Sequence, residues 1–203
     1  MNAVRRTSAL RLAPDERRRQ LLDVACLEFA ERGFYATSMD DLAAAAGVTK
    51  PVFYQHFPSK RALFIAVLED VGGRLLEVLN EATSSVQTGR DRVAEGFAAY
   101  FRFVESDRAA FRLLFGASAR NDAEFADVVD GVLGHAAEAV STLIEIPGSA
   151  EHRLVLAHAV VGMAEGISRH ALTDPDESHD PEQLAHWVGE LAWFGLRGVR
   201  SAD

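Results

Sequence analysis

The segment Thr49–His56, TKPVFYQH, gathers the side chains best suited to chemistry, and that chemistry is recognition of a polyanion. Thr49 and Lys50 offer hydrogen-bond donors. Pro51 and Val52 offer apolar surface of the kind that meets thymine methyl groups in a major groove. Tyr54, His56 and the nearby Lys60 can bond to phosphates, contacts that position a protein without reading sequence. Gln55 sits among them, its role in base or phosphate contact open. Thr37 and Ser38 stand at the start of the preceding short helix, where hydroxyls and free N–H groups suit a phosphate oxygen. Asp40 and Asp41 could form a catalytic carboxylate pair. At a helix start they read instead as capping groups that complement the dipole. No Gly-rich phosphate loop, nucleophile motif or HExxH is present. The histidines are scattered: His152 and His158 lie six apart, His179 and His186 seven apart. No enzyme activity, catalytic residue, metal or cofactor is therefore expected.

Elements that could hold Thr49–His56 against DNA are legible on either side of it. Apolar residues recur with the 3.6-residue period along most of the chain and sustained alternation is absent, which predicts an all-α protein of about nine helices. A first helix starts at Pro14, with Asp15 and Glu16 in its first turn, and Gly33 ends it. Its stripe is Leu21, Leu22, Ala25, Cys26 and Phe29. Cys26, the only cysteine, reads as a small buried hydrophobe and excludes an intramolecular disulfide. Ser38 caps a helix over 39–46, with Asp41 completing a capping box. Gly47 breaks that helix. Thr49 caps the next, with Pro51 tolerated in its first turn, and Phe57-Pro58 ends it. Phe53 and Phe57 read as core. Two short helices around a glycine turn are the helix-turn-helix geometry, whose second helix enters the major groove. Ser59 caps a fourth helix over 60–82. Further helices are predicted at 91–105, 108–117, 122–145, 150–172 and 181–199, with Asp174–Asp180 as a solvated acidic loop.

The run TSMDDLAAAAGVTKPVFYQHFPSKRALF, Thr37–Phe64, closely resembles the TetR family of bacterial transcriptional regulators. The matching features are the hydroxyl before the first short helix, Asp41-Leu42-Ala43, Ala46-Gly47-Val48 and Phe53-Tyr54-Gln55-His56-Phe57. Ser59-Lys60 and Ala62-Leu63-Phe64 complete them, and the likeness spans Arg19 to Glu69. Many members carry an aromatic where Gln55 stands. The resemblance implies a dimeric repressor with a helical ligand-binding domain, and DNA contacts from Thr37 or Ser38, Thr49 to Val52, Tyr54, His56 and Lys60. The organisation expected is a basic arm over 1–13, a helix-turn-helix domain over 14–60 and a ligand-binding and dimerisation domain over 61–203, with helix 60–82 as connector.

Aromatic residues crowd the second part. Core packing explains them, and so does a cavity, since ligand pockets are mostly apolar with a few polar anchors. Phe97, Tyr100, Phe101, Arg112, Phe115, His135 and His158 are the candidates for a small hydrophobic effector. In helix 181–199, Leu184, Trp187, Val188 and Leu191 make a stripe that Trp193, Phe194 and Leu196 widen beyond one face. A helix apolar on two sides must bury both, one of them against a partner subunit. Gly162 and Gly166 on the preceding helix allow close approach. The expected homodimer would present its recognition helices about 34–36 Å apart, matched to a palindromic operator in double-stranded DNA.

Charge is divided in the same way. Residues 1–60 hold nine Arg/Lys against seven Asp/Glu, and residues 61–203 hold twelve against twenty-three. A DNA reader with an acidic body is expected, with DNA binding depending on the stretch Arg5–Arg19 more than on anything after residue 90. The chain lacks a run of apolar residues long enough for a membrane span, and its start lacks the apolar segment of a secretory signal, so a cytoplasmic protein is expected. The function expected is that of a ligand-released repressor. An activator on the same fold, or a helical ligand-binding protein or enzyme containing a helix-turn-helix, are the alternatives.

Overall fold

The computed structural model of the chain describes residues 13–173 and 180–198. The basic arm lies almost wholly outside them, as does most of the acidic loop. Among the described residues the chain is helical throughout, with no strand. The order is α1 (Pro14–Ala36), α2 (Met39–Ala45), α3 (Lys50–His56), α4 (Lys60–Ser84), α5 (Gly89–Ser106), α6 (Arg108–Phe115), α7 (Ala117–Arg120), α8 (Ala123–Leu143), α9 (Ala150–Thr173) and α10 (Pro181–Gly198). All but the single turn α7 answer to helices expected from the periodicity. The break between α6 and α7 falls inside the predicted helix 108–117. Gly116 makes it: a Cβ there would lie 2.2 Å from the Arg112 carbonyl oxygen.

Local signals set the first four helices. Gly33, at φ +79°, interrupts α1 with a backbone that L side chains rarely adopt. The Ser38 hydroxyl accepts the Asp41 N–H (3.1 Å), and an Asp41 carboxylate oxygen accepts the Ser38 N–H (2.9 Å), so the capping box is closed. Asp41 is accordingly a cap, and its pKa is held below the usual carboxylate range by the Ser38 hydroxyl and N–H, with Arg32 adding to it.

The core runs unbroken from the first helices into the body. Phe29 and Phe34 of α1, Phe64 of α4 and Phe125 of α8 are all buried. Their rings form one cluster, with centroids 5.0 Å apart for Phe29–Phe64, 4.9 Å for Phe34–Phe125 and 4.5 Å for Phe64–Phe125. Ion pairs brace the same joint. Arg74 of α4 binds Asp70 of its own helix and Asp107, the N-cap of α6, while Arg19 of α1 also binds Asp70. Arg61 of α4 binds Asp122 and Glu124 at the start of α8 (2.8 Å each). Helix α4, about 37 Å long at 1.5 Å per residue, therefore spans from under the short helices deep into the body. Cys26 is buried as expected, and burial pushes its thiol up to about 11.

Candidate nucleic-acid interface and ligand cavity

Helix α3 turns one face inward and leaves the other open. Phe53 and the C-cap Phe57 are buried, and Val52 packs half-buried beside them. Thr49, Pro51, Tyr54 and Gln55 are exposed, with His56 half-buried. Pro51, Tyr54 and Gln55 stand at i, i+3 and i+4, so they share one outward stripe. Thr49 occupies the N-cap position, but its hydroxyl makes no capping bond and stays available. Lys50 reaches back to α2, where its Nζ bonds to Asp40 Oδ2 at 3.0 Å, and this contact raises the ammonium's pKa. Asp40, read from sequence as a capping and dipole group, is the counter-ion of the reading helix.

Two expected phosphate contacts are engaged elsewhere. Thr37 is 1% exposed, and its hydroxyl donates to the Gly33 and Glu28 carbonyls at 2.8 and 3.4 Å. It closes the end of α1, so of the Thr37 and Ser38 pair only Ser38 stands at the surface. Its hydroxyl also donates to Asp41 at 2.6 Å. Lys60 Nζ donates to the Phe34 and Thr37 carbonyls at 2.8 and 2.9 Å and sits 4.4 Å from the Phe34 ring centre. Desolvation there lowers its pKa. Both side chains lie next to the capping motif in sequence, and only the return of α4 beneath α1 reveals what they hold. Farther along α1, Arg18 lies over the Phe57 ring and Arg19 is paired with Asp70, so part of the expected basic stretch serves the fold.

A cavity of about 720 Å3 opens between α4, α5, α8, α9 and α10. Its size is typical of small-molecule sites. Its wall is chiefly aliphatic and aromatic, with Leu75 and Leu79 of α4 opposite Val132 and Val140 of α8. Of the residues singled out by sequence, Phe97, Tyr100, Phe115 and His135 line it. Phe101 does not: it is 2% exposed and belongs to the core. His158 lies on the exposed side of α9, and Arg112 lies beside a smaller neighbouring pocket. Asn80 and Thr83 of α4, Arg92 of α5 and Glu165 of α9 add polar groups to the wall. Reading α4 only as a connector hides the first two, although both sit on its continuing apolar face. Tyr100 lines the cavity, but its hydroxyl does not open onto it. Its hydroxyl is buried without a hydrogen-bond partner, as is that of Ser168. Burial drives the phenol's pKa upward, against a smaller opposing pull from Ser168. The two hydroxyls lie together behind the cavity wall, since Ser168 does not line the cavity.

Helix α10 separates two faces. Ala185, Val188, Gly189 and Ala192 are buried, with Gly189 close to Ala94 and Phe97 of α5. Leu184 packs half-buried on the same side, so Leu184 and Val188 face their own chain rather than a partner. Trp187, Leu191 and Phe194 form the opposite stripe and are 51%, 64% and 61% exposed. Gly162 and Gly166 are exposed on α9. Trp193 turns into the cavity wall beside Gly89.

Comparisons with known proteins agree with this arrangement. Residues 21–67 match the family of bacterial regulatory proteins, tetR family, and residues 89–195 match the tetracyclin repressor-like C-terminal domain. The chain is 34% identical over 191 residues to the HTH-type transcriptional activator FasR of Mycolicibacterium smegmatis, covering 93% of this chain and 87% of that one. A TetR-like transcriptional regulator from Rhodococcus sp. RHA1 superimposes with a TM-score of 0.75 at 28% identity, covering 93% and 100% of the two chains. The Bacillus subtilis regulator FadR, solved in complex with stearoyl-CoA, shares the fold with a TM-score of 0.76 at 17% identity, covering 90% and 99%.

Proposed function

The chain belongs to the tetR family of bacterial transcriptional regulators, and from that premise we propose that it is a homodimeric repressor released from a palindromic operator by a long-chain acyl effector. The outward stripe of α3 reads the major groove, with Thr49, Lys50, Pro51, Tyr54 and Gln55 toward the bases and phosphates. Ser38 and His56 hold flanking phosphates. Residues 14–60 act as the reader, and the remainder senses the effector and dimerises. Trp187, Leu191 and Phe194 of α10, with the Gly162 and Gly166 face of α9, meet their counterparts in the second copy. An isolated chain would leave that apolar stripe in water.

The observation that carries the effector reading is the apolar cavity itself, about 720 Å3, with Asn80, Thr83, Arg92 and Glu165 as the polar groups of its wall. An acyl chain would fill the space, and its carbonyl or carboxylate would meet the polar groups Asn80, Thr83 and Arg92. The stearoyl-CoA held by the fold neighbour FadR is a ligand of that chemistry. Coupling follows from α4. Leu75 and Leu79 touch the cavity while Leu63 and Phe64 of the same helix are buried in the core beneath the reader. A ligand that pushes the far end of α4 would tilt its near end and alter the spacing of the two reading helices. DNA affinity would change by the effector's preference between the two arrangements.

A labelled duplex from upstream of the chain's own gene, titrated with and without palmitoyl-CoA, tests this. Affinity should fall, and acyl-CoA binding should strengthen by about 0.8 kcal/mol, roughly fourfold, per added methylene until the cavity is full. Indifference to chain length would overturn the reading. The kinship with FasR supports a second reading, an activator, in which the same effector changes DNA binding but raises transcription from the operator.

A further inference from the structure

The body of the protein is acidic, yet the charged side chains that line one concave part of its surface are all basic. A pocket of about 440 Å3 lies between α6, the start and end of α7, and the last turns of α9. Arg112, Arg120, Arg169 and His170 face it, and no carboxylate lines it. Beyond residue 60 the chain has no lysine, so its arginines carry the positive charge of the body. Among the described residues, Arg61, Arg74, Arg90, Arg92, Arg102 and Arg108 bind carboxylates. Arg153 bonds to a carbonyl, Arg169 pairs with Glu165 at 3.4 Å, and Arg197 lies over Trp193. Of the described arginines beyond residue 60, Arg112 and Arg120 have no such contact, and both border this pocket. Two unpaired guanidinium groups with two further basic side chains need a multivalent anion, and the guanidinium fork matches phosphate oxygens. Phe115 forms a wall of both this pocket and the apolar cavity, so the two spaces are neighbours.

We infer that this pocket is a phosphate-ester site formed by Arg112, Arg120, Arg169 and His170. Its nearest source of phosphate is the polar head of an effector whose acyl tail occupies the adjoining cavity, an assignment that rests on the function proposed above. The pocket also abuts the reader. Gly116 and Arg120 bracket the turn whose Ser118 hydroxyl accepts the Phe34 N–H at 3.3 Å, so an anion gripping both ends of that turn would be felt at the end of α1.

Calorimetric titrations of the full-length wild type and of the Arg112→Gln/Arg120→Gln double variant decide the matter, with palmitoyl-CoA, palmitate and acyl-free CoA as probes. Both side chains are exposed, so the variant should melt with the wild type and bind the operator duplex unchanged in the absence of ligand. Palmitoyl-CoA should bind the variant at least tenfold more weakly while palmitate binds equally. If CoA binds the wild type alongside palmitate without competition, and loses affinity in the variant, the site stands with its phosphate supplied by a separate molecule. If the variant binds palmitoyl-CoA and CoA as the wild type does, the phosphate site is wrong while the acyl reading survives. If the wild type binds neither palmitate nor palmitoyl-CoA, the acyl reading fails. The CoA arm then judges the pocket alone, with variant-sensitive binding supporting it and absent or unchanged binding overturning it. Loss of operator affinity in the unliganded variant would also overturn it, by making the two arginines DNA contacts.

Discussion

Replacing Lys60 by methionine separates a phosphate contact from an internal clamp. The substitution keeps most of the aliphatic stem and removes the charge. In the folded chain, the Lys60 ammonium donates to two carbonyls, at 2.8 Å to Phe34 and 2.9 Å to Thr37, and lies 4.4 Å from the Phe34 ring centre. Net contributions from charge-assisted hydrogen bonds run about 1.5–3 kcal/mol each. A cation over an aromatic ring adds about 0.5–2 kcal/mol. The side chain is half-buried, so water can recover part of the carbonyls' bonding, and the low end applies. The expected loss is about 3 kcal/mol, which for a chain of this size lowers the melting temperature by roughly 6–12 °C. The second measurement is the salt dependence of operator binding. A phosphate contact would contribute about 0.9 to the slope of log K against log salt. Lys60→Met should leave that slope as it is, because Nζ points into the fold. Unaltered melting together with a slope flatter by about one would refute the clamp.

Four further outcomes follow from the same packing. Gly72→Ala would place a Cβ 2.4 Å from a Val132 methyl where α4 crosses α8. Overpacking of about 1–3 kcal/mol should outweigh a helix-propensity gain of about 1 kcal/mol and shift effector-free DNA affinity, whereas a more stable variant would count against so close a crossing. Asp40→Asn frees Lys50 from its counter-ion and removes a negative charge beside the reading helix, so operator binding at low salt should tighten by roughly two- to fivefold, the scale of an exposed ion pair, measured by anisotropy. Trp187→Glu with Leu191→Glu puts two charges on the exposed α10 stripe and should yield monomers in sedimentation; an unchanged dimer mass would move the interface elsewhere. Cys26 holds its proton more tightly when folded than when unfolded, since burial lifts its pKa to about 11. That stability is full below about pH 9 and is lost as pH rises through about 11. The urea midpoint should therefore fall over that window more steeply in the wild type than in Cys26→Ala.

The helix-turn-helix could be read from the amino-acid order because its determinants are local. A capping box closes between Ser38 and Asp41, a glycine breaks a helix where it stands, and a proline fits only the first turn. Each involves residues within three or four positions, so their spacing in sequence is their spacing in space. The inward face of α3 follows for the same reason, since Phe53 and Phe57 differ by one helical turn. The all-α class, the apolar two-sidedness of α10 and the crowding of aromatics after residue 91 come from periodicity alone.

What periodicity cannot state is the neighbour. Trp187 and Val188 are consecutive and both apolar, yet one is exposed and the other buried against its own chain, because only the packing of α10 on α5 chooses which side is inner. Phe97 and Phe101 lie one turn apart on α5. Only the first lines the cavity, because the space is bounded by five helices brought together from distant parts of the chain. Thr37 and Lys60 look like surface hydrogen-bonding groups until α4 folds back under α1 and turns both toward backbone carbonyls. Arg112, Arg120 and Arg169 span nearly sixty residues and make one basic pocket only after α6, α7 and α9 meet. Residue order alone thus specifies the local geometry of the reader and the apolar content of the body. Which polar groups hold the fold and which are left open to DNA or a ligand depends on how the helices meet, because hydrogen bonds and charges act over a few ångströms of space, and long-range contacts do not preserve the order of the chain.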